Sequence, residues 1–235
     1  METTRNIETA GPARGIESIS QLYLVMGRFF SYPDERLYGT LQDARIQEDM
    51  RALVEGLPFG VKFEGIPSPS VPQDELESEY INSFDITPSC PLYEFHYRSG
   101  ELTRREILEE LLSFYGHFDV KLSDTEKDYP DHLAAELEFM AFLAMKEADA
   151  GERGTDPDPY RRAQRDFLER HLGRWVDRLD GRIQKTTRER FYRGASFLLR
   201  EFVKNHLLHL RGQGSAESIV PLDLGGDCAE REASP

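Results

Sequence analysis

Apolar residues recur at intervals of three and four along most of the chain between residues 16 and 210, and alternation at every second position is hard to find. Spacings of three and four place side chains on one face of an α-helix, whereas a spacing of two is typical of a strand. The chain has 235 residues, of which 39% are hydrophobic, which is enough to bury one core. The pattern therefore predicts an all-α fold, a single globular helical bundle.

Prolines and glycine-rich turns divide this periodic region into seven predicted helices. Residues 56–73 hold four prolines and three glycines and predict a loop, which we expect to be mobile. Residues 1–15 and 211–235 lack periodicity and are expected to be a flexible N-terminus and a flexible C-terminal tail. The predicted helices cover residues 16–30, 34–55, 73–84, 101–117, 130–150, 159–179 and 187–210.

The formal net charge of −14 makes nucleic acid an unsuitable partner, because its phosphates would be repelled. The charge is unevenly distributed along the chain. Residues 34–94 contain thirteen acidic and four basic side chains, whereas residues 151–211 contain nine acidic and fifteen basic ones. Two interpretations remain open here: solvated helix faces that pair with one another, or an acidic surface that receives a basic ligand.

Cellular location follows from what the sequence lacks. The N-terminus has no apolar segment of the signal-peptide type, and no stretch of 18 uncharged apolar residues occurs anywhere. Cys90 and Cys228 are too far apart in sequence for a zinc or redox motif. We expect a soluble cytoplasmic protein without stable membrane insertion, either a monomer or a weak homodimer.

Catalytic and metal-binding motifs are also missing. None of the six histidines has a glutamate three residues before it, so the di-iron bundle pattern is absent, as is any phosphate-binding glycine loop. His206 and His209 are expected to form a pair on a helix surface. Cys90 is expected to be an ordinary thiol in a loop. The sequence thus contains no complete metal-ligand set and no recognisable catalytic motif, and we expect no bound metal or cofactor.

The segment "DYPDHLAAELEFMAF", residues 128–142, begins with a helix-start signal. Pro130 suits a first helical turn, and Asp128 or Asp131 would lie at the positive end of the helix. His132 and Glu136 are four residues apart and are expected to share a helix face. They are interpreted either as a structural pair that holds the incoming chain or as part of a binding edge.

Two longer blocks carry a resemblance to a known family. "EYINSFDITPSCPLYE" at residues 79–94 and "YPDHLAAELEFMAFLAMKEA" at residues 129–148 resemble the signature blocks of the TorD-like molybdoenzyme-assembly chaperones. The form "CPLYE" and the later "PYRRAQRDFLERHLGRW" are most similar to the branch that serves type II dimethyl sulfoxide reductase-family enzymes. The resemblance covers residues 16–210.

This resemblance implies an all-helical fold without catalytic turnover. Members of the family bind the apo catalytic subunit of a molybdenum enzyme, often through its twin-arginine leader. They shield that subunit while the molybdopterin cofactor is inserted and delay its export. By matching position, it implies a client-binding site formed by Tyr80, Phe84, Pro91, Tyr93, Glu94, Pro130, Asp131 and His132, with Glu136 supporting the last two from the next turn.

A leader with adjacent arginines and an apolar segment needs acidic groups beside an apolar groove. Glu79 joins Glu94, Asp131 and Glu136 as a candidate acid, while Leu133 and Phe139 join the aromatic residues, although some of these must belong to the core. Selenate, chlorate, dimethyl sulfide and hydrocarbon-oxidising enzymes all fit as clients. The alternatives are a small helical metal-binding bundle or enzyme, and a permanent subunit of an oxidoreductase complex.

Overall fold

The computed structural model describes residues 12–121 and 129–213, and within these ranges the chain forms ten α-helices and one π-helical turn. This confirms the predicted all-α class. Apart from two isolated bridges, the described residues form no β-structure. The elements are α1 (Pro12–Phe29), α2 (Glu35–Gln42), α3 (Arg45–Glu55), α4 (Gln73–Tyr80), the π-turn (Ile81–Asp85), α5 (Phe95–Arg98), α6 (Arg104–His117), α7 (Leu133–Glu152), α8 (Asp158–Arg170), α9 (Leu172–Thr186) and α10 (Arg190–Gln213).

The core is built around α7, which is buried over most of its circumference, as expected for a central helix. Helix α1 packs along α7, and α9 packs along α10. A buried hydrogen bond from Ser20 Oγ to the carbonyl oxygen of Ala141, 2.9 Å long, joins α1 to α7. The largest fully buried side chains include Tyr23, Phe30, Tyr115, Phe139, Phe167, Trp175, Phe191 and Phe202.

Two of the predicted helices are each broken into two. The predicted helix over residues 34–55 is interrupted at Asp43, whose backbone is extended at the end of α2. The predicted helix over residues 159–179 is interrupted at His171, which has φ −126° and ψ −101° between α8 and α9. The ring of His171 is fully buried, and its Nδ1 lies 3.0 Å from Glu94 Oε2, so a contact with a distant segment accompanies this break.

The proline-rich segment between α3 and α4 is a loop, as predicted, but it is anchored on the bundle. Ile66 is buried, and its backbone N–H donates to Gln47 Oε1 over 3.2 Å. Tyr38 donates its hydroxyl to the carbonyl oxygen of Val71 over 3.0 Å, and the ring of Phe59 stacks on His206 with centroids 5.4 Å apart. These contacts hold the segment on the bundle, contrary to the expectation that it is mobile.

His206 is not on the surface, so the predicted surface pair with His209 is wrong. Its side chain is 1% exposed, and its Nδ1 lies 2.9 Å from the hydroxyl of Tyr23. Burial, with a smaller contribution from His209, lowers the pKa of His206 to about 3, so the imidazole is neutral at neutral pH. Periodicity placed this position on a helix but did not reveal which face packs against α1.

The ends of the described chain differ slightly from the prediction. Helix α1 begins at Pro12, so residues 12–15 of the predicted flexible N-terminus are helical. Helix α10 continues to Gln213, three residues beyond the predicted end. Residues 1–11 and 214–235, including Cys228 and most of the predicted tail, lie outside the described residues. In the part that is described, no helix is long and apolar enough to cross a membrane.

Candidate functional site

The two sequence blocks that carry the family resemblance lie side by side. Tyr93 and His132 form an isolated antiparallel β-bridge. Next to it, Leu133 N–H donates to the carbonyl oxygen of Leu92 over 2.8 Å, and Glu94 N–H donates to that of Asp131 over 2.9 Å. We call this pairing of residues 92–94 with residues 131–133 the paired edge.

The paired edge also determines where α7 begins. His132 is the N-cap residue, and its Nδ1 accepts a hydrogen bond from Ala134 N–H over 3.3 Å. In the neutral ring the proton is therefore on Nε2. Pro130 precedes the helix instead of occupying its first turn, and its carbonyl oxygen accepts from Tyr115 Oη over 2.9 Å. The predicted start of this helix was three residues too early.

Aromatic rings cover the outer side of the paired edge. The ring of Tyr93 meets the rings of His132 and Tyr129 edge to face, with centroids 4.9 Å and 6.4 Å away. Tyr93 and His132 are half-buried, whereas Tyr129 is 53% exposed. The guanidinium carbon of Arg104 lies 4.3 Å from the ring centroid of Tyr129, which is a cation–π contact. This is a cluster of rings in edge-to-face contact, partly accessible to a partner.

Asp131 is fully buried, so it is not the exposed carboxylate that the sequence predicts. Neither of its carboxylate oxygens meets hydrogen-bond geometry with any described residue. The closest cation is Arg104, whose Nη2 is 3.7 Å from Oδ1. Burial raises the pKa of Asp131, and the Arg104 charge opposes this shift. Asp131 can therefore attract a charged partner through the groups that cover it, or contact that partner directly once those groups move.

Glu94 and Glu136 both belong to a buried polar network. Glu94 forms an ion pair with Arg98 and lies 3.0 Å from His171 Nδ1. Glu136 Oε2 accepts from Trp175 Nε1 over 3.1 Å. Burial, reinforced by the nearby Glu94 charge, raises the pKa of Glu136 well above its ordinary value. Both glutamates are fully buried, so they support the site from within.

His132 and Glu136 therefore have separate roles. His132 caps the helix and contributes a ring to the outer surface, whereas Glu136 points into the core towards Trp175. His171, Trp175 and Arg104 were not predicted as partners of the site. His171 and Trp175 occur in the block "PYRRAQRDFLERHLGRW", so the resemblance contained a signal for two of these three residues.

The remaining predicted site residues lie elsewhere or inside the fold. Phe84 is buried, and its ring packs against Phe30 and Tyr192 with centroids 6.0 Å and 5.0 Å away. Tyr80 is partly buried and donates its hydroxyl to the carbonyl oxygen of Phe30 over 3.3 Å. Glu79 Oε1 accepts from the backbone N–H of Arg188 over 2.8 Å. Pro91, Pro130, Leu133 and Phe139 are also buried.

Among residues 12–121 and 129–213, no group of three or more His, Cys, Asp or Glu side chains is arranged to hold a metal ion. Cys90 is buried, and its Sγ lies 3.0 Å from Thr186 Oγ1. At the paired edge, the described residues bring aromatic rings and buried acidic side chains together.

Comparison with known proteins places this arrangement in a family. Residues 42–180 match the model of the nitrate reductase delta subunit family. Identity is 36% over 173 residues with the selenate reductase assembly chaperone protein of Thauera selenatis, covering 72% of this chain and 79% of that protein. It is 37% over 194 residues with the chlorate reductase assembly chaperone protein of Ideonella dechloratans, covering 81% and 89%. The perchlorate reductase assembly chaperone protein of Dechloromonas aromatica (strain RCB) is 29% identical over 198 residues, covering 80% and 88%.

These three relatives carry the names of assembly chaperones and not of catalysts, which supports the expectation that the chain is not an enzyme. The matches also confirm the resemblance seen in the two sequence blocks. The chain belongs to the nitrate reductase delta subunit family, and thus to the TorD-like molybdoenzyme-assembly chaperones.

Proposed function

We propose that this protein is a dedicated cytoplasmic chaperone for the apo catalytic subunit of a type II dimethyl sulfoxide reductase-family molybdenum oxidoreductase. It binds the twin-arginine leader of that subunit, assists cofactor insertion and delays export until assembly is complete. Family membership supports the chaperone role. The names of the relatives, chaperones for selenate, chlorate and perchlorate reductases, support a client of this class.

The observation that carries the leader-binding proposal is the paired edge. It brings two distant family blocks together and presents the rings of Tyr93, Tyr129 and His132 on one side. Ring faces suit a leader peptide because guanidinium groups stack on them and apolar side chains pack against them. A surface that combines both contacts matches a peptide with adjacent arginines and an apolar segment.

The buried carboxylates change how the charge of the leader is recognised. Asp131 is fully buried, and the chain as a whole has a formal net charge of −14. The negative charge therefore attracts an approaching cation from a distance, and the rings make the first contact. Added salt should weaken the attraction and leave the ring contacts largely unchanged.

Peptide titration tests this proposal. The probe is a synthetic peptide with two adjacent arginines followed by an apolar segment, and a second peptide has glutamines in place of both arginines. Calorimetry at low and raised salt would compare wild type with Tyr129→Ala and His132→Ala. Each substitution should cost about 1 kcal/mol, roughly fivefold in Kd, because a partly exposed cation–π or ring contact is lost. Both variants should discriminate less between the two peptides.

Leu208→Ala is a matched control, because Leu208 is also 53% exposed but lies on α10, which contributes no residue to the paired edge. It should bind like wild type. Thermal melts must show that every variant is folded. If folded Tyr129→Ala and His132→Ala bind the peptide and the full apo subunit as tightly as wild type, the paired edge is not the binding surface. Co-purification with the mature, exported oxidoreductase would favour a permanent subunit instead.

A further inference from the structure

Arg104 occupies an unusual position for a cation. It is the first residue of α6, directly after the N-cap Thr103, where the positive end of the helix disfavours a positive charge. Its side chain lies against Tyr129, with the guanidinium carbon 4.3 Å from the ring centroid, and its Nη2 is 3.7 Å from Asp131 Oδ1. Arg104 Nε is buried and has no hydrogen-bond partner among the described residues. A ring face and a carboxylate thus compensate for its position at the helix start.

Asp131 is not saturated by this contact. A guanidinium and a carboxylate in an optimal pair share two short hydrogen bonds, whereas 3.7 Å exceeds hydrogen-bond distance. Both oxygens of Asp131 are buried outside hydrogen-bond geometry with every residue in the described ranges, although the backbone N–H of Phe95 lies near enough to oppose the rise in its pKa. The carboxylate therefore retains the capacity to accept hydrogen bonds from a better-placed guanidinium.

Resting on the function proposed above, we propose that the Tyr129 ring and the Asp131 carboxylate form a guanidinium-binding cradle, which Arg104 occupies in the free protein. An arginine of the client leader displaces Arg104 and takes its place between ring and carboxylate. Arg104 thereby acts as an internal competitor that lowers the apparent affinity for every arginine-bearing ligand. The planar cradle selects arginine over lysine, because only a guanidinium can stack and donate two parallel hydrogen bonds.

Arg104 can leave the cradle without unfolding α6. The start of the helix is held by a capping box: Glu106 N–H donates to Thr103 Oγ1 over 3.3 Å, and Thr103 N–H donates to Glu106 Oε2 over 2.7 Å. Neither bond involves the Arg104 side chain, which is already 41% exposed. Rotation of this side chain into solvent would open the cradle and leave the backbone in place.

Chemical rescue tests the cradle without any leader peptide. Arg104→Ala should melt at a lower temperature than wild type, because Asp131 loses its nearest cation. Millimolar ethylguanidinium should raise the melting temperature of Arg104→Ala more than ethylammonium does, and it should not do so for Arg104→Ala/Asp131→Asn. Arg105→Ala removes the neighbouring charge, which pairs with exposed Glu109, and should show no selective rescue. If Arg104→Ala does not fold, Arg104→Gln takes its place.

Titration with the twin-arginine peptide then tests displacement. Arg104→Ala should bind it more tightly than wild type, by about threefold or more if the internal side chain occupies the cradle most of the time. A peptide with lysines in place of both arginines should show no gain, and neither should Arg105→Ala. Absence of guanidinium-selective rescue would overturn the cradle and make Arg104 a structural partner of Asp131.

The two proposals fail in different ways. Equal affinity of wild type and Arg104→Ala for the arginine peptide would overturn displacement while leaving leader binding intact. Selective rescue by ethylguanidinium without any peptide binding, in wild type or variants, would support the cradle and contradict the proposed leader-binding function.

Discussion

Two substitutions of Glu136 distinguish its role as a hydrogen-bond acceptor from its role as a titrating carboxyl group. Its Oε2 accepts the indole N–H of Trp175 over 3.1 Å, and its carboxyl has a pKa raised well above the ordinary value by burial and by the nearby Glu94 charge. Glu136→Gln keeps an acceptor oxygen for Trp175 but removes the titration. Glu136→Ala removes both the acceptor and the packing.

The expected magnitude for Glu136→Ala follows from burial, since Glu136 and Trp175 are both fully buried. A buried indole N–H left without a partner costs about 1–3 kcal/mol. The lost Cγ methylene adds about 0.8 kcal/mol. Glu136→Ala should therefore lower the free energy of unfolding by roughly 2–4 kcal/mol, a large fraction of the stability of a typical domain.

The pH dependence has a definite sign. Because the folded-state pKa of Glu136 is raised, the folded protein holds this proton at pH values where the unfolded chain has lost it. Its contribution to stability is complete below the unfolded value near pH 4.3 and is lost as pH rises, by at most about 1.4 kcal/mol per pH unit. Glu136→Gln has no such loss, so its stability relative to wild type should increase between pH 5 and pH 8.

Urea unfolding at pH 5, 6.5 and 8 measures these differences. The chain contains a single tryptophan, so its fluorescence reports directly on Trp175, and far-ultraviolet circular dichroism reports on the helices. Glu138→Gln removes a charge from the exposed face of the same helix and should change stability by no more than about 0.5 kcal/mol. A constant offset between Glu136→Gln and wild type at all three pH values would refute the argument, as would a cost below about 1 kcal/mol for Glu136→Ala.

Two further predictions concern other parts of the bundle. Burial lowers the pKa of His206 to about 3, so as pH falls the unfolded chain protonates this imidazole before the folded protein does. The wild-type protein should therefore lose stability as pH falls from about 6.5 towards 3. His206→Phe should lose less over that range in urea unfolding; an identical loss would show that His206 does not titrate as described. Gly173→Ala would place a methyl group 2.4 Å from the carbonyl oxygen of Leu168 and should destabilise the protein by about 1–3 kcal/mol. Gly181→Ala, in the same helix, would place a methyl group with nothing within 4 Å and should stabilise the protein by up to about 1 kcal/mol. Thermal melts compare the two variants, and equal melting temperatures would contradict the steric argument.

The spacing of apolar residues along the chain was sufficient to predict the fold class and the long helices. The predicted helix over residues 101–117 corresponds to α6, and the one over residues 187–210 corresponds to α10, each within about three residues at either end. This works because helical periodicity depends on neighbours three and four residues away, which the sequence shows directly. The one-turn helix α5 was missed because four residues are too few to show a period.

Breaks inside helices depended on contacts that no local pattern shows. The chain leaves helical geometry at His171, whose ring is buried next to Glu94, a residue on a distant segment. The predicted helix from residue 73 to Phe84 similarly changes at Tyr80 into the π-turn Ile81–Asp85, where Cys90 N–H donates to the carbonyl oxygen of Ser83. The cost of each irregular turn is offset by partners that only the tertiary structure brings near.

At the candidate site, residue types and their order were enough to identify the two blocks that matter, because they match a family. Which carboxylates face solvent depended on tertiary packing. Asp131, Glu94 and Glu136 look alike in sequence as acids near apolar residues, yet all three are buried. Burial of an acid depends on the partners that surround it in space, here Arg104, His171 and Trp175, and these lie on α6, between α8 and α9, and on α9. Spacing along one helix fixes the direction of a side chain, but the packing of other helices decides what that side chain meets.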